Sequence, residues 1–187
     1  MSTQAARQDK RYTYADYLTW DDEIRRELID GAAYLMAPPN RRHQRISSEL
    51  HGQLYNFLKG KPCEVYAAPF GVRLNAAEGD DSVVLPDIVV VCDKSKLDEM
   101  GCVGAPDLII EILSPSTAAH DRLIKFNKYL QTGVREYWIV DPDSNTVCVH
   151  LLENGKYTIS AYGETDAPPV HVLDGCVLQL ADVFTEE

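Results

Sequence analysis

The chain has 187 residues, enough for one domain with a proper core and too few for two comfortable ones. Its 18 basic and 29 acidic residues give a net charge of −11, which excludes a protein that coats nucleic acid by bulk electrostatics. The segment from His150 to Glu187 sets seven carboxylates against Lys156 alone, so it carries −6 of that charge and a nucleic-acid surface is expected elsewhere.

Residues 1–12 read as a polar, disordered or extended tail, and residues 13–187 as a single domain. Thr13 is placed to cap a short helix through Leu18. Arg26 to Met36 reads as two strands joined at Asp30-Gly31, the strongest hairpin dipeptide in the chain. From His43 to Leu58, apolar residues at Ile46, Leu50, Leu54, Phe57 and Leu58 follow steps of three and four, the pattern of an amphipathic helix that Gly60 and Pro62 stop. Val65 to Leu74 reads as one strand and Val83 to Cys92 as another; Leu108 to Leu113 is a third, nearly all apolar and so covered on both faces. The polar stretch from Asp93 to Pro106 reads as a loop. A helix is predicted from Ala118 to Thr132, closed by Gly133. Glu136 to Asp141 is a further strand, and Thr146 to Leu152 with Lys156 to Tyr162 forms a hairpin around Glu153-Asn154-Gly155. The order predicts an α/β or α+β fold with a mixed central sheet between helices.

Cys63, Cys92, Cys102, Cys148 and Cys176 are odd in number and carry no CxxC spacing, so neither a zinc site nor a disulfide framework is expected, and most read as buried thiols in a reducing cytoplasm. No run approaches the roughly 18 apolar residues that span a bilayer, and the N-terminus lacks a signal-peptide pattern, so a soluble cytoplasmic protein without membrane contact is expected.

The chemistry concentrates between Asp87 and Lys128. Glu111 lies inside Leu108-Ile-Ile-Glu-Ile-Leu113, where a carboxylate is costly to bury unless it is paired or binds a cation. Asp107 and Glu111 share a face of one strand but stand about 13 Å apart at ~3.3 Å per residue, whereas an acid on a neighbouring strand, such as Asp87, comes within about 4.8 Å of strand spacing. Asp87 with Glu111 is therefore the better pair, and Asp107 is expected to cap the loop after Pro106. Asp121, Lys125 and Tyr129 recur at intervals of four on one helix face, with Lys128 at its flank. A buried ion pair between Glu111 and a basic residue is the structural alternative to a metal site.

These residues also carry a resemblance. Glu27-Leu-Ile-Asp-Gly31, the helix from His43, Pro86-Asp87-Ile88, Gly104-Ala-Pro-Asp-Leu-Ile-Ile-Glu111-Ile-Leu-Ser-Pro-Ser-Thr117, Asp121 with Lys125 and Tyr129, and Gly133 to Pro142 together resemble the Uma family of putative restriction endonucleases, within the PD-(D/E)-x-K nuclease superfamily. The resemblance implies a restriction-endonuclease-like fold and a magnesium-dependent DNA endonuclease, manganese being a possible substitute. It implies Asp87 and Glu111 as metal-binding acids. Leu113 stands where the motif would place its lysine, so the resemblance implies Lys125 in that role, with Lys128 second. Asp121 and Tyr129 are supporting candidates, as are Glu49 and His43 on the first long helix, and the carbonyl of Ile112 is a further candidate metal ligand. Independently of the resemblance, Arg41, Arg42 and Arg45 at the start of the first long helix are candidate phosphate contacts, with a solvated charge run as the favoured alternative for most of them. A homodimer fits the two cuts that a duplex requires. The rival class is a noncatalytic binding module that keeps the nuclease fold.

Overall fold

The computed structural model describes residues 10–77, 79–114 and 121–185, with backbone alone at 121 and 122. Thr13 caps a short helix, α1 (Tyr14–Tyr17), by a reciprocal capping box with Asp16. Strands β1 (Arg26–Ile29) and β2 (Ala32–Leu35) pair antiparallel about Asp30 and Gly31. Both turn residues have positive φ, 50° and 75°, the geometry for which Asp-Gly is suited.

Helix α2 (Arg41–Leu58) starts at Asn40, whose side chain accepts the His43 N–H. It buries His43, Ile46, Leu50, Leu54 and Leu58 as one stripe. Each fully buried leucine or isoleucine on that stripe contributes about 1.5–3 kcal/mol relative to an exposed one.

The two long strands expected in the middle of the chain are each broken by a proline. Glu64–Ala67 forms β3 and Gly71–Arg73 forms β4, with a cis Ala68–Pro69 bond between them. Val83–Val84 forms β5 and Ile88–Val91 forms β6, interrupted at Pro86. Proline offers no N–H to a ladder, and at both breaks the chain changes sheets. The predicted loop from Asp93 to Pro106 likewise contains β7 (Leu97–Asp98) and β8 (Gly101–Val103); β8 runs along β4 and β7 along β8, and Cys102 is buried. The continuation is β9 (Leu108–Ile112), β10 (Glu136–Asp141), β11 (Thr146–Glu153) and β12 (Lys156–Gly163).

The strands form two six-stranded mixed sheets, ordered β2-β1-β5-β4-β8-β7 and β12-β11-β10-β9-β6-β3. The second is the core sheet. On one face, Ile88, Val90, Leu108, Ile110 and Trp138 pack against the α2 stripe and the C-terminal helix α4 (Leu180–Phe184). On the other, Val89, Val91, Ile109 and Tyr137 pack against Ile29, Val72 and Val84 of the first sheet and against Tyr129. Tyr129 belongs to helix α3 (Phe126–Thr132), which follows a π-helical turn over Asp121–Lys125 and ends at Gly133 with φ 82°. Residues 118–120 of the predicted helix lie outside the described residues.

Cys63 and Cys92 form a disulfide, where the sequence suggested no disulfide framework. The register explains it: Glu64 pairs with Val91, so the cysteines that flank this pair face each other with Cα atoms 3.9 Å apart. Cys102 and Cys176 are buried free thiols, and Cys148 is half-buried. No helix among the described residues is long and apolar enough to cross a membrane.

Candidate active site

Glu111 and Asp87 come together through the antiparallel register of β6 and β9. Ile88 pairs with Ile110, so the next position of each strand sets Asp87 across from Glu111. The Asp87 carboxylate is held from two sides: Oδ2 accepts the Ile112 N–H at 2.8 Å and lies 3.2 Å from His43 Nε2. His43 thus brings the N-terminal turn of α2 to the end of the core sheet. Leu85, two residues before Asp87, donates its N–H to Glu27 Oε1 at 2.9 Å.

Glu111 points to the face covered by the first sheet and α3. Its Oε1 accepts from Lys125 Nζ at 2.9 Å and from the Tyr129 hydroxyl at 2.6 Å. The spacing of four brings both donors to one carboxylate oxygen from a single helical face. Burial and the charges of Glu111 and Glu27 push the Tyr129 hydroxyl well above the usual tyrosine range, so it stays protonated and donates.

The third partner is Glu27, which reading of the sequence did not single out as a site residue. Its Oε1 lies 2.9 Å from Lys125 Nζ, and both side chains are at most 4% exposed. A signal was present: Glu27 stands directly before the apolar pair Leu28-Ile29, and the whole of Glu27–Ile29 is buried. A strand buried on both faces makes any carboxylate in it an anomaly of the kind that marked Glu111.

Other candidates lie elsewhere. Lys128 reaches Asp30 Oδ1 at 2.6 Å and so fastens α3 to the hairpin turn, away from Glu111. Glu49 accepts from Gln53, whose amide also exchanges hydrogen bonds with the backbone of Gln179; that flank of α2 faces the C-terminal segment. Asp107 accepts the Cys92 N–H at 2.7 Å and an Arg135 guanidinium N–H at 2.8 Å, as a loop cap does. Arg42 donates to Asn145 and Arg45 to the Val183 carbonyl, which ties both to the scaffold, while Arg41 is exposed. The Asp121 side chain lies outside the described residues. The Ile112 N–H is engaged by Asp87.

The donor set suits a hard cation. Glu27, Glu111 and Lys125 carry a formal surplus of one negative charge in a nearly sealed place, and Asp87 adds another beside it. Uncompensated buried charge is expensive, which favours a cation there. Among the described residues no group of three or more His, Cys, Asp or Glu side chains is arranged to hold an ion by itself. An ion at Asp87 and Glu111 would therefore keep several waters or take substrate oxygens, the ordinary manner of magnesium.

The comparisons with known proteins agree with this class of fold. Residues 14–181 match the model of the Uma2 family, described as "Putative restriction endonuclease", and the chain belongs to that family. A crystal structure of a putative nuclease belonging to DUF820 from Anabaena variabilis superposes with a TM-score of 0.75 at 23% identity, over 92% of this chain and 97% of that one. Two uncharacterised proteins of Synechocystis sp. are also similar. One is 29% identical over 155 residues, 81% of this chain and 80% of the relative, and the other is 28% identical over 137 residues, 71% and 76% respectively.

Proposed function

We propose that the protein is a metal-dependent endonuclease that hydrolyses phosphodiester bonds, with DNA as its substrate and magnesium as its ion. The observation that carries this reading is the contact of Lys125 with Glu111 on a strand whose next residue, Ile112, donates its N–H to Asp87, with Lys125 arriving from a helix where the motif's usual lysine position holds Leu113.

In this reading Asp87 and Glu111 hold the divalent cation, with the Ile112 carbonyl a further possible ligand, and manganese can replace magnesium. When bound, the cation polarises a phosphate oxygen and lowers the pKa of a coordinated water. The residues of the chain supply the rest. His43 and the Ile112 N–H fix the Asp87 carboxylate, and Tyr129 fixes that of Glu111. Lys125, held between Glu27 and Glu111, presents an ammonium to the charge that builds on the phosphate oxygens as water adds to phosphorus and a P–O bond breaks. One such site cuts one strand, so duplex cleavage takes two copies of the chain or two events.

Plasmid and single-stranded DNA incubated with Mg²⁺ or Mn²⁺ test the reading against Asp87→Ala and Lys125→Ala. Cleavage by the wild type alone is expected, and undiminished cleavage by both variants would remove the site. The rival, a noncatalytic binding module, draws on the mutual satisfaction of Glu27, Lys125 and Glu111 as a buried ion set. A wild type that neither cleaves nor binds Mn²⁺ by calorimetry would favour it.

A further inference from the structure

The first sheet and α1 border a cavity of about 200 Å³, lined by Tyr14, Tyr17, Arg73, Leu85 and Met100 among others. Two backbone hydrogen bonds connect its walls to the site. Leu85 is both a wall of the cavity and the donor to Glu27, and Pro69, another wall, follows Ala68, whose N–H donates to the Asp87 carbonyl at 3.0 Å. Burial raises the pKa of the Tyr17 hydroxyl, and the charge of Glu27 adds to the shift.

The lining is suited to a flat ring. Tyr14 and Tyr17 stand nearly parallel, 20° apart with centroids separated by 6.2 Å, and both rings are half-buried. The Arg73 guanidinium lies 4.2 Å from the Tyr14 ring centre and is held by both oxygens of Asp80. Met100, 62% exposed, lies at the mouth. Clefts that enclose whole drug-sized ligands begin near 300 Å³, so this one is scaled to a single ring system. Aromatic faces with an adjacent guanidinium are how proteins hold unpaired bases.

Charge points the same way. With a net charge of −11 the chain gains little from the phosphate backbone, and two of the three arginines at the start of α2 are bound to the scaffold. Affinity for a strand must come from a contact that does not depend on bulk charge, and stacking is such a contact.

We infer that this cavity takes one unpaired nucleobase of the strand whose backbone lies at Asp87 and Glu111, so that the substrate is single-stranded or locally unpaired nucleic acid. The inference rests on the nuclease reading for the position of that backbone.

The test is fluorescence anisotropy of a labelled deoxyoligonucleotide with the full chain in EDTA, where no cleavage occurs, against a fully abasic strand of equal length and against duplex. The intact strand is expected to bind about tenfold more tightly than the abasic one and more tightly than duplex, the scale of one stacked base. Tyr17→Ala should erase the preference for bases, and Tyr17→Phe should keep it. Equal affinity of the wild type for intact and abasic strands overturns the inference whatever the variants do, and so does an unchanged preference in a folded Tyr17→Ala protein. Cleavage with Mg²⁺ in the same preparation separates the two readings. Cleavage without base preference overturns the cavity's role alone, whereas base preference without cleavage keeps the cavity and overturns the enzyme.

Discussion

Lys125 and Glu27, from opposite halves of the chain, meet at 2.9 Å in a place where neither side chain is more than 4% exposed. Glu111 completes the set from the other side of the ammonium, also at 2.9 Å. The cluster holds the π-helical turn before α3, β1 and β9 to one another, so it is at once a candidate for chemistry and a fastening between the two sheets.

Replacing the cation alone strands two buried carboxylates. Lys125→Met should lower stability by about 3–5 kcal/mol, the cost of leaving buried charge unpaired. Adding Glu27→Gln and Glu111→Gln to the same chain should return much of that loss. Urea unfolding of the single and triple variants measures both, and a Lys125→Met midpoint equal to wild type would show that the charges are not buried together.

Asp107 separates motif from mechanism. Asp107→Ala removes the acceptor of the Cys92 N–H and of Arg135, so a loss of about 1–3 kcal/mol is expected from the unsatisfied donor. Nuclease activity measured well below the melting temperature should survive. Activity lost in a folded Asp107→Ala protein would instead assign Asp107 to the site.

Acid should loosen the core sheet through His150. Its ring lies among Tyr137, Phe126 and Tyr157, with Nδ1 3.0 Å from the Tyr137 carbonyl, and burial lowers its pKa below the usual value. The unfolded chain then binds a proton more readily than the folded one. The stability it contributes is whole above the unfolded value of about 6.5 and falls away as the pH drops through the folded pKa. Thermal melts from neutral pH downward should show this slope, and His150→Phe should flatten it.

The Cys63–Cys92 disulfide closes a loop with a sequence separation of 29. The chain-entropy model puts its contribution at about 3–4 kcal/mol, lost on reduction. Alkylation of the unreduced, unfolded protein followed by mass measurement should label three of the five cysteines. Labelling of all five would show that the thiols are free.

Much of the fold was legible because local signals agreed with the tertiary arrangement. Asp30-Gly31 turns where its left-handed preference predicts, and the stripe from Ile46 to Leu58 is the face α2 buries. The errors fell where one apolar run serves two sheets. Val83 to Cys92 reads as one apolar run because β5 and β6 are both fully buried; the crossing is marked by Pro86-Asp87 between them. The Leu97–Val103 segment was hidden by its polar neighbours, since a two- or three-residue strand lacks the length to show a period.

The sequence by itself determined which groups are anomalous: a carboxylate within an apolar strand and a lysine on a helix soon after it, both of which physical chemistry obliges to find partners. Which partners they find was decided by tertiary structure. The antiparallel register sets Asp87 opposite Glu111 and Cys63 opposite Cys92, the stacking of the sheets carries Glu27 to Lys125, and the same packing sends Lys128 to Asp30. Distances across sheets depend on how the chain changes layer at Pro69 and Pro86, and that choice is settled by the burial of both sheet faces together rather than by any local run of residues.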